Sequence, residues 1–141
     1  MIIELEFDTT AAGHAPLGDI ARSLVSVDEL LRDLATLAAY PSNAEYRQIQ
    51  VAGITMRSPL TVSLSLLAIP EEAVKAFQEI CRAIIVFRDR PSRQPAIDAA
   101  LAGCVAPGHA GLTDDEARRI HDHIAKLDIA DVRLKAVGIR E

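Results

Sequence analysis

The fold of this chain is decided by residues 60–68, which read LTVSLSLLA. Apolar residues recur there at every second position, which is the period of a strand with one buried face. A second apolar segment, residues 49–56, precedes it and ends before the turn-forming pair Ser58-Pro59. The two segments predict a β-hairpin, with a bulge at Gly53 because the apolar register changes there.

Helical patterns lie on both sides of this hairpin. Residues 16–39 carry an apolar stripe that recurs every three or four positions, as in one long amphipathic helix. Pro70 and the two acids after it predict the start of a second helix that ends near Arg88. Residues 95–102 predict a short helix. Thr113 and Glu116 form a capping box that opens a last helix, which reaches about residue 127.

Strands predicted at residues 2–7 and 132–139, the second with an irregularity at Gly138, complete the order β-α-β-β-α-(α-α)-β. This order predicts an α+β fold. Without the two extra helices it is the ferredoxin-like split βαβ order, in which the third strand lies between the first and second. We therefore expect a four-stranded, mainly antiparallel sheet, with a mixed sheet of another strand order as the alternative.

Composition narrows the class of protein. At 141 residues, with 50% hydrophobic residues, residues 1–141 predict a single domain with a substantial core. The net charge of −5 argues against a nucleic-acid partner, which requires a concentrated basic face. No apolar run reaches the roughly 18 residues of a membrane span, and no signal-peptide pattern opens the chain. Two cysteines are too few for a disulfide framework, so we expect a cytoplasmic protein.

Catalytic and metal chemistry has weak support in the sequence. Cys104 and His109 could form the nucleophile and base of a small thiol enzyme or hydrolase, but no third group or oxyanion site accompanies them. Adding His121 and His123 gives no usual zinc spacing, and two helical residues that are two apart point about 200° away from each other. The sequence therefore predicts no metal, no cofactor and, as the favoured alternative, no enzyme.

Arginines are concentrated in the connector that follows the second helix. Arg88, Arg90 and Arg93 lie close together with Asp89 as the acid among them, and Pro95 then opens a helix whose free amides could also face an anion. These residues predict a site for a nucleotide or another anionic small molecule. A solvated charged connector is the alternative explanation.

Self-association is the leading functional hypothesis. Leu67 and Ile2 fall on the outer face of the predicted sheet, and Leu30 and Leu37 widen the apolar stripe of the first helix. Contiguous exposed apolar surface usually marks an interface. We therefore expect an interaction module that forms a homo-oligomer, with a dimer favoured, or that docks on a protein partner. The alternative is that the two extra helices cover this surface within one chain.

Overall fold

The computed structural model describes residues 1–9, 16–38, 48–55, 59–129 and 132–140. Over these ranges the chain is α+β, with four helices and an open five-stranded antiparallel sheet. The elements in order are β1 (Ile2–Thr9), α1 (Leu17–Ala38), β2 (Gln48–Thr55), β3 (Leu60–Leu67), α2 (Glu71–Val86), α3 (Arg93–Cys104), α4 (Asp114–Ala125), β4 (Asp128–Ile129) and β5 (Val132–Arg140).

The strands lie in the order β2-β3-β1-β5-β4, and every neighbouring pair is antiparallel. The third strand lies between the first and second, and the last long strand lies beside the first. The predicted number of four strands is wrong, because Asp128 and Ile129 add a fifth strand opposite Arg133 and Val132. A two-residue strand is too short to leave a periodic signal in the sequence.

The predicted bulge in the second strand is confirmed. The β2–β3 register shifts between Val51 and Gly53. As a result Ile49, Val51 and Ile54 all lie opposite core-facing residues of β3, although their spacing in the sequence is irregular. Met56 lies outside the described residues. In β5 the irregularity lies opposite the Glu6–Phe7 step, while Gly138 pairs regularly with Glu4, so the irregularity predicted at Gly138 is wrong.

One face of the sheet carries the core. Ile3, Leu5 and Phe7 of the middle strand are fully buried. Helix α1 is continuous through Ser26, as its stripe predicts, but Leu17 at its first turn is exposed. None of the helices in the described ranges is both long and apolar enough to cross a bilayer.

The caps explain where the later helices begin. Glu116 N–H donates to Thr113 Oγ1 at 3.2 Å and Thr113 N–H donates to Glu116 Oε1 at 3.3 Å, which confirms the capping box of α4. Helix α3 begins two residues before the predicted start at Pro95, because a proline is tolerated in the first turn, where amides have no helical partner.

Leu30 and Leu37 do not widen an exposed stripe. They are 0% and 1% exposed. Helix α1 contacts α2, α3, α4 and β5 as well as the sheet region below it, so its apolar surface is covered on several sides. The prediction that these two leucines lie at an intermolecular surface is therefore wrong, and for this part of the surface the chain's own elements provide the cover.

Candidate functional site

An apolar groove runs between α1 and the edge of the sheet. Its volume is about 300 Å³. We call it the β2 groove, and its lining residues are Leu24, Val25, Asp28, Ile49, Val51 and Leu64. Val51 is 61% exposed and Val25 is 54% exposed. Ile54, on the same face of β2, is also exposed. Side chains on the core side of the sheet therefore reach solvent along this edge.

The β2 edge lacks the charges and prolines that usually protect a sheet edge from pairing. In the described part of the chain β2 pairs with β3 alone, so no other described strand uses the backbone groups on its outer side. Its sequence, QIQVAGIT, contains no charged residue and no proline. The opposite edge, made by β5 and β4, carries Asp128, Arg133, Lys135 and Arg140. The bulge near Gly53 is the one device on β2 that disfavours a long, flat pairing.

Ile2 and Leu67 lie on the other face of the sheet. Leu67 is 60% exposed and Ile2 is half-buried. Ile2 pairs with Ser65, so Leu67 is its diagonal neighbour across the β1–β3 ladder. The other residues that β1 and β3 place on this face are polar, with acids on β1 and hydroxyls on β3. The two residues therefore form a small apolar corner, and the β2 groove is the larger apolar surface.

Sequence reasoning missed the β2 groove for a definable reason. The apolar residues of β2 look like core residues, because the alternation in a strand identifies a face without showing what covers it. The useful signal was the predicted strand order, which places the second strand at an edge of the sheet. An uncharged edge strand is a recognised site for pairing with another chain.

Arg88 is bound within the chain. Its Nε donates to Asp128 Oδ2 at 3.0 Å, and its Nη2 donates to Asp128 Oδ1 at 2.9 Å and to the carbonyl of Leu134 at 2.5 Å. The Asp128 side chain is only 9% exposed. Arg88 therefore attaches the connector after α2 to β4 and β5, and it is not available for an anion as the sequence suggested.

Arg90 and Arg93 meet at one cleft between the N-terminal end of α3 and the face of α4. Its volume is about 540 Å³. We call it the α3–α4 cleft, and its polar lining is Arg90, Arg93, Gln94 and His121. Its apolar lining is Pro91, Ile97, Ile124 and Ala125. The sequence gives no reason to connect His121 with the arginines, because it lies on a different helix; in the fold it lines the same cleft.

The thiols are in apolar surroundings. Both cysteines are free and buried. Burial raises the pKa of Cys81 far above its usual range, and burial together with Glu72 raises the pKa of Cys104 to about 11. The Cys104 thiol donates to the carbonyl of Leu34 at 3.4 Å, and the Nδ1 of His109 accepts from Gly111 N–H at 2.9 Å. The geometry therefore gives no support to a Cys104–His109 pair.

We expect both thiols of the native protein to resist a disulfide reagent at neutral pH, because the thiolate is the reacting form and both are protonated and covered. The reaction is followed by the absorbance of the thiolate that the reagent releases. Protein unfolded in guanidinium should react at both cysteines, and the native protein should show no reaction in the same time. This expectation would be contradicted if the native protein were labelled rapidly and the Cys104→Ser variant were not.

His121 and His123 face different helices, as their spacing predicts. The His121 Nε2 lies 3.8 Å from Asp98 Oδ1 on α3. His123 is buried, and its Nε2 lies 3.2 Å from Glu29 Oε2 and 3.7 Å from Asp33 Oδ2 on α1. Among the described residues, no cluster of three or more histidine, cysteine or acidic side chains could hold a metal ion.

Comparison of the chain with protein-family models, with curated proteins and with solved structures finds no match.

Proposed function

We propose that this protein is a non-enzymatic interaction module whose partner is a second copy of the same chain, docked through β2 and the β2 groove. The observation that supports this most strongly is Val51, a core-side residue that is 61% exposed on an uncharged edge strand. The proposed location is the cytoplasm, where free thiols such as Cys81 and Cys104 persist.

Pairing of two β2 edges would satisfy backbone groups that no described strand of the same chain satisfies. Two copies related by a two-fold axis bring the same strand together in antiparallel directions, so no second complementary surface is needed. Among the described residues that line the β2 groove, Asp28 is the only charged one. Contact between two copies through these residues therefore brings no row of like charges together, and it removes Val25, Val51 and Ile54 from water.

We also propose that β1, α1, β2, β3, α2 and β5 form a ferredoxin-like core, to which α3, α4 and β4 are additions. The strand order β2-β3-β1-β5 and its antiparallel pairings support this assignment. In such an arrangement the second strand is always at an edge, and two helices cover four strands. The exposure of β2 is then a consequence of the architecture.

Replacing Val51 with glutamate should convert the dimer into a monomer. The change places a charge in the proposed interface, where it would be desolvated without a partner, a cost of several kcal/mol. The free chain should fold normally, because Val51 is largely exposed. Sedimentation velocity measures the mass, and thermal melting by circular dichroism checks the fold.

Val86→Glu is the matched control. Val86 is 59% exposed, nearly the same as Val51, but it lies at the end of α2, which packs on α3 and β5. We expect this variant to remain a dimer. Equal sedimentation of both variants and the wild type, whether all dimeric or all monomeric, would exclude β2 as the interface.

A further inference from the structure

We infer that the α3–α4 cleft binds a phosphate monoester whose organic part has an apolar face, such as a mononucleotide. The inference rests on Arg90, Arg93 and His121 at one cleft with an apolar floor. It is independent of dimer formation, since the described residues that line this cleft and those that line the β2 groove have no member in common.

The two arginines lack the partners that other arginines have. Seven of the ten arginines in the described ranges lie within 4 Å of a carboxylate oxygen: Arg22, Arg32, Arg88, Arg118, Arg119, Arg133 and Arg140. The three without such a partner are Arg82, Arg90 and Arg93, and two of these line the α3–α4 cleft. In a chain of net charge −5, two uncompensated cations at one cleft favour an anionic ligand.

Gln94 and His121 line the cleft together with the two arginines. His121 is half-buried at the cleft, and its Nε2 lies 3.8 Å from Asp98 Oδ1. Gln94 Nε2 donates to the same oxygen of Asp98 at 2.9 Å. Asp98 thus holds the Gln94 side chain and has His121 beside it, and it is not among the described residues that line the cleft. The Ser92 side chain makes no capping bond to α3, so the positive end of this helix also lacks a side-chain acceptor.

The floor of the cleft indicates the organic part of the ligand. Ile97 and Ile124 are almost fully buried, and Pro91 and Ala125 complete an apolar surface beside the arginines. A volume of about 540 Å³ exceeds what a bare phosphate needs and lies in the usual range for small-molecule sites. Arginine forks match phosphate oxygens, and a monoester carries nearly two negative charges at neutral pH.

Isothermal titration calorimetry at low ionic strength tests this inference with three probes: adenosine 5′-monophosphate, phenyl phosphate and inorganic phosphate. We expect at least one ester to bind in the millimolar range or tighter, and inorganic phosphate to bind more weakly than that ester. Binding of phenyl phosphate alone or of both esters would indicate a general monoester site, and binding of the nucleotide alone would indicate a nucleotide site.

Arg90→Gln and Arg93→Gln should each weaken ester binding by about tenfold, because each removes charge-assisted hydrogen bonds. Arg82→Gln is the matched control, since Arg82 is also unpaired but lies on α2 outside the cleft. Ala125→Leu keeps the charge, fills the cleft and should also reduce binding. Three results would overturn the inference: no ester binding at millimolar concentration, equal binding by Arg82→Gln and the Arg90/Arg93 double variant, or inorganic phosphate binding as tightly as the esters.

Discussion

Replacing Leu5 with aspartate is expected to abolish the folded state. Leu5 is fully buried in β1, the middle strand, with Val62 and Val137 opposite it on its two neighbours. Loss of a buried leucine costs about 2–5 kcal/mol, and a desolvated carboxylate adds several kcal/mol. The total is comparable with the whole stability of a domain, about 5–15 kcal/mol. The cooperative melting transition followed by circular dichroism should disappear.

Ser65→Asp introduces the same side chain on the opposite face of the neighbouring strand. Ser65 lies opposite Ile2 and Gln50, so the new charge meets no acid directly across the sheet. The Ser65→Asp substitution should lower the free energy of unfolding by less than about 1 kcal/mol, as most surface substitutions do. If both aspartate variants melted at the wild-type temperature, the assignment of the buried face of the sheet would be contradicted.

Removing the carboxylate of Asp128 should lower the free energy of unfolding by about 2–4 kcal/mol, which is the scale of a broken, partly buried ion pair. Asp128→Ala leaves the Arg88 guanidinium with the Leu134 carbonyl and without its bidentate partner. Arg133, whose Nε lies 3.9 Å from the same carboxylate, loses a neighbour as well. Equilibrium urea unfolding measures the change.

Asp115→Ala provides the comparison. The Arg118 Nη1 lies 3.7 Å from Asp115 Oδ1, and both side chains are largely exposed at 74% and 93%. An exposed pair of this kind, together with the helix dipole, should contribute less than about 1 kcal/mol. If the two alanine variants unfold at the same urea concentration, the Arg88–Asp128 contact is not the anchor of the connector that we describe.

The periodicity of apolar residues predicted the helices and strands that have one buried face. It missed the features that exist only because another strand lies beside them. Residues 60–66 alternate between buried and half-buried positions as their sequence does, and α4 begins at its capping box. β4 has only two residues, and it is a strand because β5 lies beside it. The irregularity of β5 likewise lies opposite Glu6 and Phe7 of the neighbouring strand. It does not lie at Gly138, where the conformational freedom of glycine predicted it.

The candidate sites were less predictable for the same reason. The sequence placed three arginines in one connector, but whether each is free depends on elements far along the chain. Asp128, forty residues later, binds Arg88, and His121 on α4 joins Arg90 and Arg93. Similarly, Val51 alternates with Ile49 as a core-facing strand residue would. Its exposure follows from where α1 lies over the sheet, which no local pattern records.

The central proposal is that two copies associate through β2, and the mass of the wild-type protein tests it most directly. Light scattering after gel filtration, at a protein concentration of a few tens of micromolar, gives that mass without any assumption about molecular shape. We predict twice the chain mass of 15.2 kDa, falling toward the single-chain value on dilution. A mass of 15.2 kDa throughout this concentration range would contradict the proposal.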